Sequence, residues 1–350
     1  MKDALDIVHR LRQALQDSGH AAAAGPLEVL PDKGLAHHHV RLVGSGWLAR
    51  IPKQSQMGLG AEDNLAHQRA CFERAAASGH TPALQGWLMP SVFLPRGALL
   101  VSEVAGRAAH LPDDLAGIAS ALAALHALPL PEVSAPLGHP DDPLHSLCEE
   151  IAVQLRHLPA ASVPARVASA IEAEWRSLQK LLEVPARPPR CLIAFDAHPG
   201  NFIVQASGHA VLVDLEKCRY GCAGLDLAHA TLYTSTTWDL DTCAELTPAQ
   251  VGGFYATWAQ AAGPAAEGAR PWHLPLRRAM WLWSISWCAK WRVRSGVAAG
   301  QGPDGEDWSI DHSAAPLVAH VRDRVDHYLG AAAVSRVRDE FDALRTGLCE

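Results

Sequence analysis

Three short apolar runs lie close together in the second half of the chain, separated by turn-forming residues. The runs cover 192–194, 202–204 and 211–213. They are rich in β-branched and aromatic residues, which are typical of short buried strands. Pro199 and Gly200 indicate a turn between the first two runs, and the third run ends at Asp214. The pattern predicts short strands whose ends bring Asp196, Asn201 and Asp214 to one place.

Other periodicities predict the remaining elements. The segment 30–52 alternates as two strands with a turn at 44–46, and 61–77 has the pattern of a helix. The chain after Ala228 is predicted to be helical and is rich in tryptophan. Within it, Trp283, Trp287 and Trp291 recur at helical spacing, so one helix face carries three indoles, and most of the tryptophans are expected in the core.

Asp196, Asn201 and Asp214 are the side chains with chemistry in the first pattern. Asp196 or Asn201 alone would be explained by a turn, because Asp, Asn, Pro and Gly are the usual turn formers. Asp-x-x-x-x-Asn followed by an apolar strand that ends in Asp is more specific. It supplies a carboxylate to orient an acceptor hydroxyl and take its proton, and oxygen ligands to hold Mg²⁺ against nucleotide phosphates. The motif predicts a phosphoryl-transfer site.

Three segments of the chain, taken together with their order, resemble the aminoglycoside phosphotransferase family, whose relatives include choline and ethanolamine kinases. The strongest runs from Asp196 through Asp214 to 224–228. The segment 122–129 resembles the family's helix between the lobes, and 99–107 resembles the strand and hinge against which adenine stacks. The resemblance covers most of the chain, and it implies an ATP-dependent phosphotransferase acting on a hydroxyl of a small molecule.

The resemblance also implies an α+β fold with the two lobes of protein kinases. A small mixed amino-terminal lobe with an antiparallel sheet, at 1–106, would cover the nucleotide. A larger, mainly helical carboxy-terminal lobe, at 107–350, would carry catalysis and acceptor binding, with the hinge at about 102–106. Both lobes fit a chain of 350 residues, which is long enough to bury two cores.

By the same resemblance, the residues of the central motif have distinct roles. Asp196 would be the catalytic base, and Asn201 and Asp214 would hold Mg²⁺. His198 would brace the loop that carries the base. Asp226 would be a buried acceptor for the amides of that loop, which is a structural role.

In the amino-terminal half, the resemblance assigns the nucleotide contacts. Gly34 falls in the place of the phosphate-covering loop, and Glu103 and Val104 fall at the hinge beside adenine. Arg50 falls where relatives carry the cation that pairs the phosphates. Its planar fork of donors suits that task.

Two alternatives concern the phosphate-pairing cation. Lys53 is the second candidate, and either residue could be a solvated charge at a strand end. The helix of 61–77 should carry the carboxylate that positions the cation, but Gln68 stands at that place. A glutamine could hydrogen-bond Arg50 without forming an ion pair.

The chain departs from the family pattern beside the base as well. Relatives precede the catalytic aspartate with His-Gly, and here Ala194 and Phe195 stand instead. The ring of Phe195 could narrow the acceptor pocket or replace the lost packing, and the second is the expectation favoured here. These departures leave a second class of function open, a pseudokinase that binds nucleotide or regulates with little turnover. Retention of Asp196, Asn201 and Asp214 favours the enzyme.

The acceptor is expected on the carboxy-terminal helices, as in the family. Trp238, Asp239 and Asp241 are candidates to contact it, and Glu216 could face the acceptor or a second metal. An ordinary solvated loop is the alternative for 237–241. With the net charge of −7, these carboxylates suggest a cationic acceptor, such as an amine.

Composition narrows the classes of partner. The net charge of −7 and the lack of a basic run argue against nucleic acid. The most apolar stretch, 115–130, contains Ser120 and His126 and is too short for a membrane span. The 8 cysteines are scattered, as expected for reduced thiols in a cytoplasmic protein.

Overall fold

Two compact units make up the protein in the computed structural model, which describes residues 2–31, 34–295 and 314–349. The first unit consists of Met1–Ala76, Pro82–Val104 and Arg294–His320. The second consists of Ala77–Thr81, Ala105–Val293 and Val321–Glu350. The chain therefore passes from the first unit to the second at three points, one of which lies between Val104 and Ala105.

An antiparallel sheet of five strands is the centre of the first unit. Its strands are β1 (Leu27–Val29), β2 (His37–Leu42), β3 (Trp47–Pro52), β4 (Leu84–Leu88) and β5 (Ala98–Ser102), in the order β1-β2-β3-β5-β4. The turn between β2 and β3 has Gly44 and Gly46 at φ of 82° and 72°. Glycine adopts this left-handed region without a steric cost, which explains the turn predicted from the sequence. The two strands predicted in 30–52 are confirmed.

Two helices flank this sheet in sequence, α1 (Lys2–Asp17) and α2 (Ala61–Ala75). Ile7, Leu11 and Leu15 recur on one face of α1, and all three are buried in the core of the unit. Val40 of β2 and Leu100 of β5 belong to the same core. The helical period of apolar residues in α1 thus meets the inward side chains of the sheet.

The second unit is mainly helical. The helices from here on are α3 (Leu115–His126), α4 (Pro143–Leu155), α5 (Ala165–Leu182), α6 (Ala223–Thr231), α7 (Tyr233–Thr236), α8 (Pro248–Ala262), α9 (His273–Arg294), α10 (Ala315–Tyr328), α11 (Ala331–Ala343) and α12 (Arg345–Cys349). The end of α9, at Arg294, and the beginning of α10, up to His320, belong to the first unit. The short strands are β6 (Arg107–Ala108), β7 (Cys191–Ile193), β8 (Phe202–Val204), β9 (Ala210–Leu212) and β10 (Arg219–Gly221). They form two small antiparallel sheets, β6-β8-β9 and β10-β7.

Tryptophans fill much of the core of the second unit, as predicted. Those that are buried are Trp258, Trp272, Trp281, Trp283 and Trp291. Trp238 and Trp287 are half-buried. Burial of an indole removes a large apolar area from water, so the Trp-rich α9 is a main stabilising element of this unit.

Within residues 2–31, 34–295 and 314–349, no helix combines the length and the apolar character that a membrane span requires.

Candidate active site

The strands β7, β8 and β9 position a loop that carries most of the predicted site residues. This loop, residues 194–201, leaves β7 and ends in a single 3₁₀ turn at Pro199–Asn201, from which β8 begins. The Asn201 side chain donates through Nδ2 to the carbonyl of Asp196 at 2.8 Å. The Asn201 carbonyl accepts from the amide of Val213 at 2.9 Å. These two bonds bring Asp196, Asn201 and the segment that carries Asp214 together, as the sequence predicted.

Asp226 binds the backbone at the beginning of the 194–201 loop. It is fully buried, and its two carboxylate oxygens accept from the amides of Ala194 at 2.7 Å and Phe195 at 2.8 Å. The acceptor role predicted for Asp226 is the one the structure has. Charge-assisted bonds of this kind are stronger than those between neutral groups, so Asp226 fixes the backbone that precedes Asp196.

A buried chain of hydrogen bonds supports Asp226 in turn. His126 Nε2 lies 3.1 Å from Asp226 Oδ2, and Trp258 Nε1 donates to His126 Nδ1 at 3.0 Å. Because Nδ1 accepts from the indole, the proton of the neutral imidazole lies on Nε2 and is donated to Asp226. Helices α3 and α8 therefore take part in holding the loop.

Phe195 has an unusual backbone conformation. Its φ is 61°, in the left-handed region that favours glycine. This explains why a glycine is expected there from the resemblance. The ring of Phe195 is buried, with its edge against Trp283 at a centroid distance of 4.9 Å. The guanidinium of Arg219 lies 3.7 Å from the Phe195 ring centroid. These contacts and the bond to Asp226 maintain the strained conformation, so Phe195 replaces packing as expected.

We predict that Phe195→Gly lowers the free energy of unfolding. Glycine would remove the left-handed strain of about 1–2 kcal/mol. It would also delete a buried ring, which typically costs about 3–5 kcal/mol in a core. The loss of packing should outweigh the relief of strain, so the free energy of unfolding measured in urea should fall by roughly 2 kcal/mol. A variant more stable than the original protein would show that strain at Phe195 outweighs its contacts.

Lys217 is a site residue that the sequence patterns did not indicate. Its Nζ donates to Asp196 Oδ2 at 2.7 Å, and the two side chains are only 14% and 17% exposed. Burial acts to lower the pKa of Lys217, but the carboxylates of Asp196 and Glu216 outweigh it and raise that pKa. Burial likewise acts to raise the pKa of Asp196, and the charge of Lys217 outweighs it, so that pKa is lowered. Both groups are therefore charged at neutral pH.

The second oxygen of Asp196 lies near His229, whose ring is in turn close to that of His198. His229 Nδ1 lies 3.7 Å from Asp196 Oδ1, beyond hydrogen-bond distance. The rings of His198 and His229 are 6.0 Å apart, and the Nδ1 atom of each is buried without a hydrogen-bond partner. Burial lowers the pKa of His229 to about 4, so its imidazole is uncharged at neutral pH. The bracing role predicted for His198 stays a prediction.

Asn201 and Asp214 have the donor chemistry that Mg²⁺ requires. Since Asn201 Nδ2 is used for Asp196, the Asn201 amide oxygen is the atom of that side chain that could bind a metal, and Asp214 could supply a carboxylate oxygen. Across the part of the chain that the structure describes, no three His, Cys, Asp or Glu side chains cluster as metal ligands. A set of one or two oxygen ligands suits Mg²⁺, which protein side chains and substrate phosphates usually hold together.

Residues predicted for the acceptor lie partly beside the 194–201 loop. A Cβ built on Gly200 would lie 2.7 Å from Asp239 Oδ2, so Asp239 packs directly on the loop and only glycine fits there. Asp239 Oδ1 also accepts from the Asp241 amide at 2.8 Å. Trp238 stacks on Tyr328 at a centroid distance of 6.2 Å, and Glu216 is buried. Contact of these residues with an acceptor stays a prediction.

The first unit contains the residues predicted to bind nucleotide. Arg50 of β3 is buried beside His39 of β2, with 3.4 Å between Arg50 Nη1 and His39 Nε2. Its guanidinium lies 5.6 Å from the Phe72 ring centroid on α2. Gln68, also on α2, hydrogen-bonds His37 Nε2 at 3.1 Å through Oε1. The helix is thus linked to the sheet through Phe72 and Gln68, and Gln68 is engaged with His37.

Other predicted nucleotide contacts lie at the edges of this unit. Glu103 forms an ion pair with Arg41, with Arg41 Nη2 2.7 Å from Glu103 Oε1, and its amide donates to the Gly46 carbonyl at 2.7 Å. Val104 is half-buried at the end of the unit, and Gly34 is exposed in a bend. Their roles toward adenine and phosphate stay predictions.

Solved structures of several phosphotransferases share the fold of the chain. A choline/ethanolamine kinase family protein from Mesorhizobium loti is 15% identical, with a TM-score of 0.59 over 97% of this chain and 99% of that chain. Choline kinase from Cryptosporidium parvum Iowa II is 13% identical, with a TM-score of 0.55 over 93% and 94%. Macrolide 2′-phosphotransferase from Brachybacterium faecium is 13% identical, with a TM-score of 0.54 over 90% and 97%. At these identities the likeness shows the fold, and it confirms the two-lobed α+β class.

Comparison with curated proteins gave no match. The sequence does match the model of the phosphotransferase enzyme family, over residues 32–273. That match covers about two thirds of the chain, and it includes Arg50, the 194–201 loop, Asp214 and Asp226. The chain is therefore a member of the phosphotransferase enzyme family.

Proposed function

We propose that the protein transfers the terminal phosphoryl group of ATP to a hydroxyl group of a small molecule, with Asp196 as the base. The observation that carries the proposal is Asp196, whose backbone carbonyl is bonded to Asn201 beside the segment of Asp214 and whose carboxylate is held by Lys217. Asp196 Oδ2 is held by Lys217, and Oδ1 lies 3.7 Å from Nδ1 of His229, which has no hydrogen-bond partner. Oδ1 is the oxygen from which an acceptor hydroxyl would be oriented and deprotonated.

The base needs to be ionised to accept a proton. Lys217 lowers the pKa of Asp196, so the carboxylate is available at neutral pH and is a weak base. Phosphoryl transfer passes through a loose transition state in which the hydroxyl is little deprotonated. Asp196 would therefore contribute mainly by orienting the acceptor hydroxyl. The Asp226 bonds to Ala194 and Phe195 supply that rigidity.

We assign Asn201 and Asp214 as the ligands of Mg²⁺, which when bound would neutralise charge on the phosphates of ATP. Asp214→Ala should weaken ATP binding about tenfold or more in the presence of Mg²⁺, since it deletes the carboxylate ligand. Binding measured without Mg²⁺ should change much less. Titration of a fluorescent ATP analogue with and without the metal checks both numbers. Equal affinities of variant and original protein with Mg²⁺ would remove Asp214 from the metal site.

We assign Arg50 as the cation that pairs the phosphates of ATP, with Gly34, Glu103 and Val104 as further nucleotide contacts. Arg50→Ala should weaken ATP about tenfold or more and adenosine by less than about twofold, because the guanidinium would contact phosphate and not base. Competition titrations give the two affinities. Lys53→Ala serves as the matched control, and its ATP affinity should stay near the original. Equal weakening of ATP and adenosine by Arg50→Ala would mark Arg50 as structural.

The acceptor is proposed only as a class. Solved relatives in fold include proteins named for choline, ethanolamine and a macrolide, all of which carry a hydroxyl group. An acceptor of this kind would contact Trp238 and Asp239, next to the 194–201 loop. The sequence favours a cationic acceptor, through Glu216, Asp239 and Asp241. The ammonium of Lys217, which is bonded to Asp196, would instead repel a cationic acceptor. A cytoplasmic site of action, where ATP and Mg²⁺ are abundant, belongs to the same proposal.

The test is a transfer assay with purified protein, Mg²⁺, ATP and a panel of hydroxyl compounds, in which ADP release and phosphorylated product are measured. Phosphorylated product from any member, lost in Asp196→Asn, would support the proposal. Tight binding of ATP without product or ADP across the panel would instead favour the pseudokinase alternative. Failure to bind ATP would contradict both.

A further inference from the structure

The ammonium of Lys217 occupies one side of the proposed base. Its Nζ lies 2.7 Å from Asp196 Oδ2, and the pair is largely buried. The same ammonium lies 5.9 Å from the Trp283 ring centroid. A carboxylate is the group that a cationic acceptor would seek at this site. That position is already filled by a cation of the protein's own.

Arg219 adds a second positive group two residues further along the chain. Its guanidinium lies over the ring of Phe195, next to Asp196 in sequence, and it is paired with Glu150. Glu150 also accepts from Trp283 Nε1 at 3.2 Å. Both cations are therefore anchored in fixed places, and neither is a mobile surface side chain.

The group near the other oxygen is the imidazole of His229, which is uncharged at neutral pH. Nδ1 of His198 and of His229 are buried and lack hydrogen-bond partners, and His229 Nδ1 lies 3.7 Å from Asp196 Oδ1. Buried polar atoms without partners are rare in proteins, and ligands often satisfy them. A hydroxyl group both donates and accepts, so it suits an imidazole nitrogen in either tautomer. An ammonium group only donates.

We propose that Lys217 determines acceptor specificity, excluding ammonium-bearing acceptors so that the site takes an uncharged polyhydroxyl compound, such as a sugar or polyol. The proposal rests on the proposed function, because it concerns the acceptor of the same site. In the complex, Lys217 stays on Asp196 Oδ2. The acceptor places its reacting hydroxyl at Asp196 Oδ1, and a neighbouring hydroxyl at His229 or His198.

A matched pair of ligands tests this proposal. Sorbitol and glucamine differ only in one hydroxyl group, which is replaced by an ammonium group in glucamine. Their dissociation constants are measured with Mg²⁺ and a non-hydrolysable ATP analogue, and the ratio of glucamine to sorbitol is the readout. Three variants are compared with the original protein: Lys217→Met, Lys217→Arg and Lys180→Met. Lys180 is an exposed lysine of α5, so its variant controls for loss of one charge elsewhere.

The original protein should bind sorbitol at least about tenfold more tightly than glucamine, since like charges repel at close range. Lys217→Met should lower the ratio by about tenfold or more, because the freed carboxylate then attracts the ammonium. Lys217→Arg and Lys180→Met should keep the original ratio. If Lys217→Met does not fold, Lys217→Gln removes the same charge with a polar side chain.

Three results would overturn the proposal. They are tighter binding of glucamine by the original protein, an unchanged ratio in Lys217→Met, and no binding of either compound by any variant. Binding of the ATP analogue is measured separately in the same samples. Loss of that binding contradicts the proposed function, whereas an intact nucleotide site with the wrong ratio contradicts only the role of Lys217.

Discussion

Replacing Asp196 by Asn should lower the rate of phosphoryl transfer by about 10²–10⁴-fold while ATP and Mg²⁺ still bind. The amide keeps the shape of the side chain, but it cannot accept the proton of the acceptor hydroxyl. Asn201 donates to the backbone carbonyl of residue 196, and that contact survives the substitution. Steady-state transfer and titration of a Mg²⁺–ATP analogue give the two numbers. Near-normal turnover in Asp196→Asn would refute the assignment of the base.

The ion pair with Lys217 gives this variant a second expected effect. Without the carboxylate, a largely buried ammonium loses its counter-ion. This should lower the free energy of unfolding by roughly 1–3 kcal/mol. Adding Lys217→Met removes that unpaired charge. The double variant Asp196→Asn/Lys217→Met should therefore regain stability in urea unfolding and stay inactive. Recovery of activity together with stability would show that the single variant had failed through misfolding.

Much of the fold and the centre of the site followed from local sequence patterns. The apolar run 202–204 is the strand β8, and the turn at 44–46 joins β2 to β3. These signals are strong because a strand alternates with a period of two and turns need particular residues. Asp196, Asn201 and Asp214 were predictable together because short strands bound their loops, so their spacing along the chain fixes their spacing in space.

The contacts that tune the base were not predictable in the same way. Lys217 is one lysine beside an acidic stretch, and only the fold brings its Nζ to Asp196, 21 positions earlier. His229 has no motif of its own in the sequence. Trp258 reaches His126 from a helix 132 positions away. Such pairs depend on how helices pack, which local periodicity does not encode.

Phe195 stands between these two cases. The sequence showed that it departs from the family's glycine, and packing was the expected compensation. Its left-handed backbone was not expected, because a bulky residue seldom adopts that region. The strain is tolerated because Asp226 binds the Phe195 amide and Trp283 and Arg219 enclose its ring. Tertiary contacts thus override a local preference beside the proposed base.

Asp226→Ala should be the most damaging substitution for stability among the residues of the site. It leaves the buried amides of Ala194 and Phe195 without an acceptor, at a cost of roughly 1–3 kcal/mol for each. His126 loses its partner as well, so the total should reach several kcal/mol in urea unfolding.

Activity should fall with stability in Asp226→Ala, since the backbone before Asp196 loses the bonds that hold it. Asp226→Asn keeps one acceptor oxygen, so its stability and its activity should lie between those of Asp226→Ala and the original protein. Asp113→Ala is the control, because that carboxylate is 74% exposed and belongs to the same unit, so its removal should change stability by less than about 1 kcal/mol. If Asp226→Ala unfolds at the same urea concentration as Asp113→Ala, the two amides do not depend on Asp226. The position of the base would then have to be set by the Asn201 and Lys217 contacts, and Asn201→Ala should displace it where Asp226→Ala does not.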